Sequence, residues 1–257
     1  MRKAILLVAY GAVSSQGRRV LVNIDERVRT AFPGFSVRWA YSSPILRTRL
    51  AQSGLKSDSV IKALERLWFE HFAEVVIQPL QTIAGVEHEE MHKAIQSVVV
   101  EKSLAVYVGQ PLLANANDIA KVALSLLQDL PAERLADEDV IFMGHGSRHP
   151  AAKMYADLHN YVQTLDPHVH VGTMIGLINL ENLLPNLTSK RVWLMPFLST
   201  VGRHTLNDMA GTKSTSWRSC LENQGHICMP VLKGTAECAA LVEIWLEHLR
   251  LAALPLI

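Results

Sequence analysis

One internal repeat constrains this chain more than anything else in it. Val75-Val76-Ile77-Gln78-Pro79-Leu80-Gln81-Thr82-Ile83-Ala84-Gly85-Val86-Glu87 can be laid over Val192-Trp193-Leu194-Met195-Pro196-Phe197-Leu198-Ser199-Thr200-Val201-Gly202-Arg203-His204. Pro79 then meets Pro196, Gly85 meets Gly202 and Glu87 meets His204, all at an offset of 117 residues. A second pair of stretches also agrees, Ile5-Leu6-Leu7-Val8-Ala9-Tyr10-Gly11 with Val140-Ile141-Phe142-Met143-Gly144-His145-Gly146. A repeated strand–turn–helix unit implies two similar halves facing each other across a cleft. The alternative is chance, because unrelated strand–helix units look alike.

The rest of the pattern fits such halves. Short Val- and Ile-rich runs at 4–9, 36–40, 75–78, 105–108, 140–143, 170–173 and 192–195 are apolar on both faces, as strands of a buried parallel sheet are. Amphipathic stretches separate them. Val20, Ile24 and Val28 share one helix face, and Ile61, Leu64 and Trp68 follow a Ser57-Asp58 cap. Ile119, Ala123 and Leu127 follow Asn117-Asp118, while Leu241, Ile244, Trp245 and His248 mark a last helix. The expected fold class is therefore α/β, with two doubly wound parallel-sheet halves at 1–130 and 137–257 joined by a polar crossover. The last helix is free to pack back on the first half. Ligands are expected beyond the carboxyl ends of the strands.

Composition removes several classes of function. With 25 Lys and Arg against 24 Asp and Glu, the 257-residue chain carries no electrostatic footprint for nucleic acid. No run of 18 apolar residues offers a membrane span. The basic, then apolar start, Met1-Arg2-Lys3-Ala4-Ile5-Leu6, stops at Tyr10-Gly11 and reads as a strand and turn rather than a signal peptide. Cys220, Cys228 and Cys238 are odd in number and lack Cys-x-x-Cys spacing, so reduced thiols in a cytoplasmic protein are expected. Homo-oligomerisation stays open.

Three motifs carry chemistry. His145-Gly146-Ser147-Arg148-His149-Pro150 follows a strand directly, and the glycines flanking His145 leave it uncovered. Its plain alternative is a helix cap, and His149 reads as an exposed first-turn residue. Gly202-Arg203-His204-Thr205-Leu206-Asn207-Asp208-Met209 delivers a second histidine, with Asn207 and Asp208 placed to orient it. The repeat puts Glu87 where His204 stands, and Tyr10 where His145 stands. Two imidazoles and a carboxylate converging this way can bind a divalent first-row metal and leave coordination positions open. The third motif, His88-Glu89-Glu90-Met91-His92, satisfies the His-Glu-x-x-His pattern of zinc hydrolases but has no evident third ligand. The Gly11 turn can cradle an anion at a helix start. Arg18, Arg19, Arg47, Arg49, Arg148 and Arg203 lie near inferred strand-end loops and suit a polycarboxylate.

Taken together, the duplicated halves, Gly85-Val86-Glu87-His88-Glu89, Phe142-Met143-Gly144-His145-Gly146 and Met195-Pro196 through Gly202-Arg203-His204 to Asn207-Asp208-Met209-Ala210 resemble a known family. It is that of the anaerobic cobalt chelatases of the CbiK type, sirohydrochlorin cobaltochelatases related to ferrochelatase in the class II chelatase superfamily. The resemblance runs from Lys3 to the last helix. It implies a chelatase-like fold and an enzyme inserting Co(II), with Ni(II), Fe(II) or Zn(II) as other candidate metals, into a tetrapyrrole of cobalamin synthesis without a nucleotide. His145, His204 and Glu87 match the metal-binding and catalytic positions. Tyr10, Gly11, Arg148 and Arg203 are the expected pigment-binding positions. Two departures stand out: Ile175 occupies a position where the family usually has a metal-ligating glutamate, and Arg203 one where it usually has aspartate. They leave a second expectation, a non-catalytic tetrapyrrole or metal carrier on the same scaffold.

Overall fold

The computed structural model describes residues 2–257, which form two compact units. One comprises the chain up to Leu112 together with Val242–Ile257, and the other comprises Leu113–Leu241.

The first unit is built on β1 (Arg2–Ala9), α1 (Ser15–Ala31), β2 (Ser36–Tyr41), α2 (Pro44–Gln52), α3 (Val60–Phe69), β3 (Phe72–Pro79), α4 (Val86–Glu101) and β4 (Ala105–Val108). Its strands pair in parallel in the order β2-β1-β3-β4. Ile5, Leu6, Leu7 and Val8 are fully buried, which is why β1 reads as an unbroken apolar run. Each such side chain contributes roughly 1.5–3 kcal/mol on burial.

The second unit holds α5 (Ala116–Gln128), β5 (Asp139–Gly146), α6 (Lys153–Leu165), β6 (Val169–Ile175), the one-turn α7 (Leu180–Leu183), β7 (Arg191–Phe197), α8 (Trp217–Asn223) and β8 (Ile227–Pro230). Its strands run in parallel in the order β6-β5-β7-β8. The helix α9 (Ala239–Ala253) closes the chain, and its residues from Val242 onward belong to the first unit.

The two sheets repeat one another residue by residue. Ile5 pairs with Val76 in the first and Val140 with Trp193 in the second; Val8 pairs with Pro79, and Met143 with Pro196. These are the partners that the sequence repeat aligns. The edge strands keep step as well, Val75 with Val106 and Val192 with Cys228. A chance likeness of two strand–helix units does not reproduce both the strand order and the register of the central pair, so the duplication is structural.

Several local expectations need correction. The buried stripe of α3 is Val60, Ala63, Leu64 and Leu67, while Ile61 and Trp68 face outward. Lys102 covers the Trp68 ring, its Nζ 4.3 Å from the centroid. The cap of α3 is Ser59, whose hydroxyl accepts from the Lys62 N–H, rather than Ser57-Asp58. Likewise α5 is capped by Asn115, and its buried face is Ile119, Val122, Ala123 and Leu126, with Asp118 buried in its first turn. Strand β8 and helix α2 were not expected at all.

Candidate metal centre

His145 is the penultimate residue of β5, an exposed side chain at the end of an otherwise buried strand. Gly146 makes this possible. It adopts a left-handed φ of +74°, and a Cβ there would sit 1.8 Å from the Ile175 carbonyl oxygen. Gly11, the matching position of the first unit, also has positive φ, at +110°. The chain thus turns sharply at the same point in both halves, exposing His145 in one and Tyr10 in the other.

His204 opens a short π-helical segment, His204–Met209, after β7. Its ring lies beside that of His145, with centroids 5.2 Å apart and planes at 76°. The pair was expected from the strand-end positions of the two motifs, and the second unit brings them together. Their hydrogen bonds fix their chemistry. The His204 Nδ1–H donates to Asp208 Oδ2 at 2.6 Å, one turn along the segment. The His145 Nδ1 faces the carbonyl oxygen of Gly146 at 3.0 Å, which can only accept, so this nitrogen carries the hydrogen. Both imidazoles therefore present an Nε2 lone pair, the form that ligates a metal or accepts a proton.

Arg148 and Arg203 are exposed on the loops that carry the two histidines. Ile175 is 42% exposed and pairs across the strand end with Gly146, so an apolar side chain stands at the rim beside the histidine loop. Leu206, on the turn bearing His204, is also exposed. Glu87 lies in the first unit, exposed in the first turn of α4, where Gly85 is the N-cap and the helix dipole favours an anion. Two of the candidate arginines are engaged by their own backbone: Arg18 donates to the Val13 carbonyl and Arg47 to those of Tyr41 and Ser42. His149 is the helix cap that His145 is not, its Nδ1 accepting from the Ala151 N–H at 3.1 Å.

The His-Glu-x-x-His pattern does not build a zinc hydrolase. His88 and His92 are adjacent, but among the described residues no three His, Cys, Asp or Glu side chains group to hold a metal. What the sequence did not reveal is the link from His88 Nδ1 to Gln81 Oε1 at 3.0 Å, which ties α4 to the loop after β3. Burial, and then the neighbouring His92, push the His88 imidazole down to about 4.

Two parallel α/β units with an imidazole pair at a strand end define a protein of the chelatase fold. SirB from Bacillus subtilis with Fe3+ superposes with a TM-score of 0.66 at 15% identity, covering 98% of this chain and 96% of that one. SirB from Bacillus subtilis subspecies spizizenii in complex with cobalt gives 0.65 at 15% identity, covering 100% and 97%. The chain belongs to the cobalt chelatase (CbiK) family, whose pattern matches residues 3–254. Sirohydrochlorin cobaltochelatase CbiKC of Nitratidesulfovibrio vulgaris is 49% identical over 255 residues, covering 98% of this chain and 90% of its own. The sirohydrochlorin cobaltochelatase of Salmonella typhimurium is 28% identical over 257 residues, covering 98% and 97%.

Proposed function

We propose that this protein is a sirohydrochlorin cobaltochelatase, inserting Co(II) into the tetrapyrrole without nucleotide hydrolysis. Insertion joins one divalent ion to four pyrrole nitrogens and releases two protons. The observation that carries the reading is the side-by-side His145–His204 pair with each Nδ1 occupied and each Nε2 open. One Nε2 can hold the incoming ion while the other takes a proton from the macrocycle. Asp208 holds the His204 ring in the tautomer this needs. Glu87, the counterpart of His204 in the repeat and exposed in the first turn of α4, is proposed as an acidic group serving the same reaction. Arg148 and Arg203, exposed beside the histidines, suit the eight carboxylates of the pigment through charge-assisted pairs. Tyr10 and Gly11, the counterparts of His145 and Gly146, are assigned to the pigment as well.

The test is a visible-absorbance assay of sirohydrochlorin with Co(II), Ni(II), Fe(II) and Zn(II). The protein should accelerate metallation, and His145→Ala should lower kcat/KM by about 10²–10⁴-fold, the usual weight of a positioned acid–base group. A carrier role is the second reading, favoured by the half-exposed Ile175 at the rim of the site. It predicts stoichiometric pigment binding with no turnover in the same assay.

A further inference from the structure

Helix α4 carries a second pair of imidazoles that the proposed reaction does not use. His88 and His92 lie one turn apart on one helix face, partly buried, with ring centroids 4.7 Å apart and planes at 63°. Their Nε2 atoms are 3.1 Å apart. Two imidazole nitrogens each about 2.0–2.1 Å from one divalent ion, at angles between octahedral and tetrahedral, are separated by roughly 2.9–3.4 Å. The observed spacing falls inside that window without any side chain moving. The Gln81 side-chain oxygen Oε1 accepts from the His88 Nδ1–H, which turns the lone pair of His88 Nε2 toward His92. Gln81 is itself buried, and its Nε2 has no hydrogen-bond partner.

The duplication shows that packing does not demand these side chains. At the offset of 117, His88 corresponds to Thr205 and His92 to Met209, both fully buried in the second unit. The second half fills the two positions with core residues, and the first half places two metal-ligating rings there.

We infer that His88 and His92 form a second divalent-cation site on α4, distinct from the His145–His204 pair and selective for ions that favour imidazole, such as Co(II), Ni(II), Zn(II) or Cu(II). The ion takes the place of the hydrogen that His92 Nε2 donates to His88 Nε2, and His92 carries that proton on Nδ1 instead. Two protein ligands leave the remaining coordination positions to water, so the ion exchanges instead of becoming a structural centre. The inference is independent of pigment metallation.

Equilibrium dialysis against Co(II) and Zn(II) tests it in the His145→Ala/His204→Ala protein, which lacks the proposed substrate pair. That protein should still bind one ion per chain. Adding His88→Gln and His92→Gln should weaken this binding at least tenfold, with the circular dichroism spectrum unchanged. Paramagnetic Co(II) should broaden the His88 and His92 ring protons before those of other histidines. No retained ion in the first protein, undiminished binding in the second, or broadening confined to other histidines would each overturn the site. A loss of chelatase activity alone bears only on the proposed reaction.

Discussion

At the scale of single residues, the hydrogen bonds behind the two histidines matter as much as the histidines. An imidazole free to rotate spends part of its time with Nδ1 outward or its lone pair buried in solvent. Asp208, 2.6 Å from His204 Nδ1, removes that freedom. It touches neither ion nor pigment in the proposed reaction, so it is a positioning residue. Asp208→Asn can still accept through its amide oxygen, whereas Asp208→Ala cannot. The alanine variant should lower metal affinity about 10–100-fold, as loss of a partner behind a ligating histidine generally does, and the asparagine variant should recover part of it. Cobalt titrations of the two variants, with His204 ring shifts followed by NMR, check the order. Equal losses in both would assign Asp208 a purely electrostatic role.

At the scale of elements, two further histidines tie packing to pH. His159, on α6, accepts the Val171 N–H at Nδ1 from strand β6, at 3.1 Å, and its ring stacks on that of His170 at 6.0 Å. Protonating Nδ1 would break that bond inside the unit, and burial, then His170, hold His159 below its ordinary value of 6.5. His88 is held down to about 4 by burial and by His92. For both, the unfolded chain binds a proton more readily than the folded one. Stability is therefore greatest above about pH 6.5 and falls as the pH drops through the window toward the folded values. Urea unfolding at pH 7.5 and pH 5, in the presence of a chelator, should show a loss of about 1–3 kcal/mol, and His88→Gln/His159→Gln should lose less. An identical pH dependence in the double variant would place the proton uptake elsewhere.

The central strands were readable because burial on both faces writes a continuous apolar run, and 4–9 and 140–143 fall within β1 and β5. Strand β8 was not readable. It has four residues, Ile227 exposed and Cys228 buried, and it ends in a proline, so no period develops. Helix faces were read too broadly, because Ile61 and Trp68 are apolar yet outward. The histidine pair was legible from glycine placement at strand ends, but no sequence signal gives the tautomers that Gly146 and Asp208 impose.

For the whole molecule, the duplication and the chain's path pull in different directions. By sequence, each half is a contiguous repeat. In the structure, Leu113–Leu241 is continuous, whereas the other unit needs the chain to return at Val242. The returning segment is rich in buried side chains: Val242, Ile244, Trp245, Leu246, Leu249, Ala253 and Leu256 are all buried. Trp245 also donates its Nε1–H to the Gln81 carbonyl at 3.4 Å, and His248 Nδ1 faces the Gln110 carbonyl at 3.2 Å. Removing a single buried tryptophan costs about 3–5 kcal/mol, a large part of the stability of an ordinary domain, so removing the whole segment exceeds what one unit can lose. A fragment of residues 113–241 should therefore unfold cooperatively on heating, while a fragment of residues 1–112 should bind a hydrophobic dye and show no cooperative transition. A synthetic peptide of residues 242–257 should restore that transition in the first fragment at micromolar concentration. If residues 1–112 melt cooperatively without the peptide, the repeat in the sequence, rather than the path of the chain, sets the folding units.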